Sequence, residues 1–159
     1  MDPKTVTVKL ALHAWNTQLD RVTKFINEIQ DDQLMKEIAP GKNRGIYLVG
    51  HLAAIHDVLP EILGIGKRAN PELQAIFVQA PDKTVDKIPS MGELRQIWTN
   101  VHDRLQKEFE KMPADSWFAR HESMTDADFE KDPARNKLSV LVNRTGHAAY
   151  HFGQMRLLK

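Results

Sequence analysis

The chain has 159 residues, of which 42% are hydrophobic and 27% are charged, a composition typical of one soluble globular domain. Its 22 basic and 21 acidic side chains leave a net charge of +1, so no overall field favours binding to nucleic acid or to an anionic membrane. The absence of cysteine excludes disulfides, thiolate metal ligands and a cysteine nucleophile, and it is consistent with the reducing cytoplasm.

The first two predicted helices are separated by a loop marked by Asp31-Asp32 and Pro40-Gly41. Over residues 5–30, apolar residues recur at alternating steps of four and three, the period of a helix that faces a core. A second helix is predicted from about residue 45, where the same steps are taken by Leu48, His51, Ile55, Val58 and Ile62. This pattern places His51 in the core. Pro60 is expected to kink or restart the helix, because proline lacks an N–H donor and clashes with the preceding turn.

Two further helices follow, each after a long connection. Residues 67–89 contain three prolines and predict a connection with one helical turn near residues 72–78. Ser90 and Glu93 predict a capping box for a third helix, which Pro113 ends. After a second loop, at about residues 114–136, a fourth helix is predicted from near Leu138 to the end of the chain, capped by Asn136 or Ser139.

The order of these elements predicts the fold class. Four amphipathic segments with no strand pattern indicate an all-α fold, namely a four-helix bundle with long connections after helices 2 and 3. We expect residues 1–159 to form a single domain. No apolar run approaches the roughly 20 residues of a spanning helix, and residues 1–4 lack the pattern of a secretion signal. We therefore expect a soluble cytoplasmic protein.

The last helix carries the strongest functional pattern. His147 and His151 are four residues apart, so both imidazoles lie on one helical face and can reach the same divalent metal ion. His51 on the second helix is a candidate third ligand, because an unpaired imidazole among leucine, isoleucine and valine would be costly. Three imidazoles leave a coordination position open, as in catalytic metal sites.

The alternative is that these histidines are ordinary core residues. A His-x-x-x-His pattern often arises by chance, and buried histidines are frequently satisfied by a hydroxyl or a carbonyl. His56 is five residues after His51, about 140° around the helix, and is expected to be a pocket or surface residue beside Asp57. The remaining histidines lack a partner at ligand spacing and are expected to be solvated or core residues: His13, His102 and His121.

Helix geometry also suggests residues around the metal. Tyr47 lies one turn before His51, Asn143 and Arg144 lie one turn before His147, and Tyr150 lies three residues after it. Gln154 is placed to orient the His151 ring through a hydrogen bond. For Tyr150 the alternative is interhelical packing, and for Arg144 it is a surface ion pair.

These motifs resemble those of the DinB/YfiT-like family. The resemblance rests on the His147-Ala-Ala-Tyr-His151-Phe-Gly-Gln154 ending, on Gly50-His51-Leu-Ala and on residues 135–147, and it extends over essentially the whole chain. It implies a four-helix bundle, often a homodimer, with a divalent metal on His51, His147 and His151. Many relatives begin helix 2 with a Trp-Ser pair where this chain has residues 43–47, a difference that concerns the pocket wall and not the ligands.

The resemblance implies one of two activities on a small-molecule substrate: transfer of a low-molecular-weight thiol, or hydrolysis. We favour thiol transfer, because the nearest acidic residues, Asp57 and Glu61, are at poor offsets for a general base, and no catalytic residue is identified. Zinc or nickel is expected in the site, ahead of iron or manganese. The alternative is a non-enzymatic stress-response module that binds a metal or ligand and acts as a homodimer.

Overall fold

The protein is described by a computed structural model that covers residues 2–159. Its α-helices, in chain order, are α1 (Pro3–Glu28), α2 (Asp31–Leu34), α3 (Gly45–Asp57), α4 (Leu59–Ile62), α5 (Glu72–Gln74), α6 (Met91–Lys111), α7 (Asp126–Lys131) and α8 (Lys137–Met155). The long helices α1, α3, α6 and α8 lie where the sequence predicts four helices. Residues 2–159 contain isolated bridges but no strand, so the predicted all-α class is confirmed.

Side-chain caps and prolines fix the helix boundaries. The predicted capping box is present at the start of α6, where Ser90 and Glu93 each accept the backbone N–H of the other. At the start of α8 the Asn136 side chain accepts the Ser139 N–H at 3.0 Å, which identifies Asn136 as the cap. α3 ends before Pro60 and α4 restarts around it, as predicted.

The second predicted loop is more ordered than the sequence suggested. It contains a 3₁₀ turn at Ala114–Phe118 and the short helix α7. Trp117 in that 3₁₀ turn is fully buried and contacts Phe109 of α6 edge to face. This aromatic contact holds the segment against the core, and six-residue helices such as α7 are too short for reliable detection by periodicity.

The core lies between the long helices. α1 packs along α8, and α3 packs against both α6 and α8. Trp15 and Trp98 are buried in it, and the Trp98 indole N–H donates to the Thr23 hydroxyl at 2.8 Å. No helix within residues 2–159 has the length and apolarity required to cross a membrane.

The prediction that His51 occupies a core stripe of α3 is wrong. α3 is buried around most of its circumference, and the most deeply enclosed side chains include Leu48, Leu52 and Ala53. Tyr47, His51 and Ile55 lie on the remaining, half-buried face. Because apolar residues surround almost the whole helix, their spacing does not distinguish the inner face from the outer one.

The connection after α4 covers this half-buried face. Asp82 accepts the backbone N–H of Arg44 at 2.7 Å and pairs with its guanidinium at the same distance, just before the first turn of α3. One turn later the Tyr47 hydroxyl donates to the Ala80 carbonyl at 2.7 Å. The connection therefore runs antiparallel to α3 along the side that bears His51.

A glycine permits the close approach of the connection. α5 continues into a π-helical turn at Ala75–Gln79, and Phe77 of that turn is fully buried against α3. A Cβ atom on Gly50 would lie 2.4 Å from the Phe77 ring, well inside van der Waals contact. Only glycine leaves room for the ring at this position.

We expect Gly50→Ala to destabilise the protein. Overpacking costs about 1–3 kcal/mol, which exceeds the gain of about 0.5–1 kcal/mol for alanine over glycine in a helix. Gly146→Ala on α8 is the matched control, because a Cβ atom there meets nothing within 4 Å. Urea unfolding should place Gly50→Ala below and Gly146→Ala at or above the wild type. Equal stability of the two variants would contradict this assignment.

Candidate metal centre

Three imidazoles from two long helices meet at one point. α8 presents His147 and His151 one turn apart, and α3, which packs against α8, presents His51. The Nε2 atom of His147 lies 3.1 Å from that of His151 and 3.4 Å from that of His51. All three ligand atoms lie within 4.8 Å of one another.

The outer nitrogen of two of these rings is held by an oxygen atom. His51 Nδ1–H donates to the carbonyl of Phe77 at 2.8 Å, and His151 Nδ1–H donates to Oε1 of Gln154 at 2.7 Å. Because these oxygens only accept hydrogen bonds, each ring carries its proton on Nδ1. The Nε2 lone pairs of His51 and His151 therefore face the centre of the cluster.

This arrangement fits a divalent metal ion. The Nε2 lone pairs of His51 and His151 are compensated either by a proton on Nε2 of His147, which is within hydrogen-bond distance of both, or by a cation between the three nitrogens. With metal–nitrogen bonds of 2.0–2.1 Å, the edge of a tetrahedral ligand set is about 3.3 Å, close to both separations from His147. Three imidazole ligands leave a fourth position for water or a substrate atom.

The electrostatics of the cluster favour the neutral, ligating form of each histidine. Burial lowers the pKa of His51 and of His151, and the hydrogen bonds to their Nδ1 atoms only partly oppose it. Burial also lowers the pKa of His147, to about 4, helped by the neighbouring charges of His151, His51 and Arg144. No carboxylate contributes to the pKa of any of the three rings. At neutral pH the cluster is uncharged and available to a cation.

The predicted aromatic neighbours lie beside the cluster. The Tyr47 ring is nearly parallel to that of His51, at 12° and a centroid distance of 6.4 Å. Tyr150 is 63% exposed and meets the His151 ring edge to face at 5.1 Å. Its hydroxyl accepts the Gln154 amide at 3.2 Å, so Tyr150 supports the residue that orients His151. Tyr150 thus contacts its own helix and is not packed between helices.

Asn143 and Arg144 line a cavity of about 400 Å³. The cavity is bounded by the end of α4, the loop before α7 and the first turns of α8. His121, expected from the sequence to be a solvated or core residue, also lines it, whereas His13 is exposed on α1.

His56, expected to be a pocket or surface residue beside Asp57, lies instead in the interior. It is fully buried, and its Nδ1 lies 2.8 Å from Nε2 of His102, whose own Nδ1–H donates to the Trp98 carbonyl at 2.7 Å. The Trp15 ring contacts His56 edge to face at 4.8 Å. His56 and His102 thus form a buried pair inside the helices, on the other side of α3 from His51.

The acidic residues considered as general bases are engaged elsewhere. Asp57 is buried and accepts the backbone N–H groups of Ala69 and Asn70. Glu61 pairs with Arg68 at 2.7 Å, and this pair lowers the pKa of Glu61 to about 2. Both carboxylates therefore anchor the start of the long connection.

The sequence did not reveal two groups that contact these histidines: the Phe77 carbonyl, which accepts from His51, and His102, which pairs with His56. The Phe77 carbonyl is a backbone group, and no residue type announces it. His102 was detectable in principle, because it lies one turn after Trp98 on a core helix, but its partner His56 comes from another helix. Pairings between helices do not appear in the spacing of either one.

Comparison with known families gives one match. A family model described as the DinB superfamily matches residues 14–155, a range that includes all four long helices in whole or in part and all three histidines of the cluster. A comparison with the curated proteins found no match.

We expect the metal-free protein to lose stability as the pH falls below about 6.5, because burial holds the pKa of His102 near 4 and that of His56 well below its usual value. The unfolded chain then takes up protons before the folded one, so stability is present above pH 6.5 and is lost towards acid pH. At pH 5 the loss from His102 amounts to about 2 kcal/mol.

Urea unfolding between pH 7.5 and 5.0, followed by circular dichroism, measures this dependence. His102→Gln retains an acceptor for His56 and a donor for the Trp98 carbonyl but does not titrate. It should reduce the pH dependence by the share of His102, and the part that remains comes from His56 and from the three histidines of the cluster, whose pKa values are lowered as well. The same slope in this variant and in the wild type would show that His102 does not contribute to it.

Proposed function

The chain belongs to the DinB superfamily, and on this basis we propose that it is a metal-dependent enzyme that transfers a low-molecular-weight thiol to an electrophilic small molecule. The observation that carries the proposal is the cluster of His51, His147 and His151, in which hydrogen bonds from two Nδ1 atoms turn the Nε2 lone pairs towards one point. A structural metal site would need a fourth protein ligand, and the cluster within residues 2–159 contains three.

His51, His147 and His151 would hold a divalent cation through three neutral imidazoles, and such a cation would lower the pKa of a thiol at the open position and so supply a nucleophilic sulfur at neutral pH. The protein holds the imidazoles in place: Gln154 orients His151, and the Phe77 carbonyl orients His51. In the transfer, the sulfur loses its proton to water and forms a bond to an electrophilic carbon. The leaving group departs from that carbon with its electron pair.

Thiol transfer is favoured over hydrolysis by the absence of a base. Hydrolytic metal sites commonly use a carboxylate to take the proton of the attacking water. Here the carboxylates nearest in sequence, Asp57 and Glu61, bind backbone N–H groups and Arg68. A thiol has an intrinsic pKa near 8.5, far below that of water, and needs no such residue once it is coordinated.

The ligand set suits several metals. Imidazole binds zinc and nickel well and also accepts iron, and the softness of a thiol substrate favours zinc among them. We therefore propose zinc or nickel, with iron or manganese as the less suitable occupants. The partners that we propose are a thiol and a small electrophile, and neither nucleic acid nor a membrane is among them.

We expect the protein, purified without a nickel column, to contain close to one divalent metal ion per chain. His147→Ala should remove it, because two imidazoles on different helices hold a cation much less tightly than three. Plasma mass spectrometry measures the metal content. His13→Ala is the matched control, since this histidine is exposed on α1 and should leave the content unchanged.

The absence of metal from the wild type, even after incubation with zinc, nickel or manganese, would overturn the enzyme proposal. Equal metal content in His147→Ala and the wild type would exclude His147 as a ligand, and the cluster would then be only a group of packed histidines.

We expect the metal-loaded protein to accelerate the reaction of a small thiol with an electrophile. Glutathione or cysteine with 1-chloro-2,4-dinitrobenzene, followed by absorbance of the thioether, is a suitable screen. The rate should fall to background on removal of the metal and should return on its addition. Acceleration that persists in both metal-free protein and His147→Ala would contradict the assigned site, whereas hydrolysis of ester substrates without thiol transfer would favour the second activity.

The alternative function is a non-enzymatic metal- or ligand-binding module that acts as a homodimer. Two large apolar side chains on α8, Val142 and Tyr150, are 56% and 63% exposed and would be available to a second copy. Light scattering after size-exclusion chromatography measures the mass. A dimer with bound metal but with no activity towards any thiol or ester would favour this alternative.

A further inference from the structure

Arg144 is a half-buried cation without a counter-charge. Its Nε–H is enclosed and has no hydrogen-bond partner among the described residues. Burial lowers the pKa of Arg144, and no carboxylate or hydrogen bond raises it again. The two Nη groups are not enclosed in this way, so the charge stays within reach of a ligand, and a half-buried charge without a carboxylate costs free energy that a bound anion offsets.

Four of the five other partly buried arginines within residues 2–159 have a carboxylate partner, and the fifth, Arg104, has none, but its Nε–H is not enclosed without a partner as that of Arg144 is. Arg44, Arg68, Arg95 and Arg120 each lie 2.7 Å from a carboxylate oxygen of the protein. Each of these guanidinium groups is thereby neutralised by the fold itself. Arg144 departs from this pattern and has its buried charge left for a group from outside.

Arg144 lines the cavity of about 400 Å³ at the start of α8. Such a volume is within the range of sites for small molecules. The side chains around it are cationic, polar or aliphatic and include no acidic residue: Ile62, His121, Ser123, Arg135, Ser139, Val140 and Asn143. The second arginine, Arg135, makes the local charge more positive, and the serine and asparagine side chains supply neutral hydrogen-bonding groups.

We propose that this cavity binds a small organic acid, whose carboxylate is held by paired hydrogen bonds from the Arg144 guanidinium. The planar fork of N–H donors matches the two oxygens of a carboxylate, and the partial enclosure strengthens the pair. The exposed Arg135 raises the positive potential around the cavity and favours an anion over a neutral molecule of the same shape, and Asn143 offers a neutral hydrogen-bond donor.

The position of Arg144 connects this cavity with the three histidines. It lies three residues before His147 on α8, and its charge is felt at His51, His56 and His147, where it lowers the pKa. The cavity that Arg144 lines and the three histidines are therefore electrostatically connected through this one side chain. The bound acid is the electrophile of the thiol transfer, a role that rests on the proposed function, whereas its binding to metal-free protein does not.

The test uses the full-length, metal-free protein with succinate and its neutral diamide, succinamide, as probes. We expect succinate to bind and to shift the Arg144 Nε–H resonance in nitrogen–proton NMR spectra, assigned by its loss in Arg144→Met. Succinamide should cause no such shift. Inorganic phosphate is the third probe, and tighter binding of phosphate than of succinate would overturn the carboxylate assignment.

Variants separate recognition from general attraction of anions. Arg144→Met should weaken succinate binding at least tenfold, and Arg144→Lys should fall between it and the wild type, because lysine keeps the charge but not the fork. Arg21→Met, on α1 and outside the cavity, is the matched control and should bind as the wild type does. Circular dichroism verifies folding, and we expect Arg144→Met to be at least as stable as the wild type without succinate.

Two results would overturn the proposal: equal binding of succinate and succinamide, or succinate binding that survives in Arg144→Met. If Arg144→Met fails to fold, Arg144→Lys serves as the test. Succinate affinity in Arg144→Lys equal to that of the wild type would overturn the proposal that paired hydrogen bonds hold the carboxylate. Repetition of the titration with zinc-loaded protein distinguishes the two proposals. If the protein binds succinate but takes up no metal, the anion site is supported and the proposed enzyme activity is overturned. If it takes up metal but does not bind succinate, the anion site is overturned and the metal site is supported.

Discussion

Two hydrogen bonds on the outer side of the cluster determine what its inner side can do. A neutral imidazole has one proton, and an acceptor at Nδ1 decides that Nε2 carries the lone pair. The Phe77 carbonyl has this effect on His51, and the Gln154 amide oxygen has it on His151. If either acceptor were replaced by a donor, the proton would move to Nε2 and the centre would contain a hydrogen atom where a ligand atom is required.

Much of the surrounding fold keeps these acceptors in position. Gln154 is on the same helix as His151, so helical geometry alone brings the two together. The Phe77 carbonyl is 26 residues from His51 and needs the whole connection to return along α3. The ion pair of Arg44 with Asp82 anchors that return. Gly50 then leaves room for the Phe77 ring beside the helix. The carbonyl of Phe77 faces His51.

The comparison of sequence with structure shows which kinds of information a single sequence contains. Contacts between residues three or four apart, such as the capping box at Ser90 and the pair of histidines on α8, follow from helix geometry and were predicted. The orientation of α3 was not predicted. Apolar residues surround this helix, so their spacing does not show which face is turned to the core. His51 was selected as a ligand on the premise that it lies in the core, whereas it lies on the half-buried face. The contacts of His56 with His102 and of His51 with Phe77 join separate segments, and local pattern does not encode such pairings.

The π-helical turn supplies the Phe77 carbonyl, and this part of the chain thereby orients one of the three imidazoles. A backbone oxygen cannot be removed by exchanging a side chain, so the orientation of His51 is altered only by moving the segment itself. Binding at the cluster and order in residues 75–82 are then thermodynamically linked, and each must increase the other by the same factor. Occupation of the cluster by a cation would be communicated to a surface segment of the protein, where protease access and hydrogen exchange would report it.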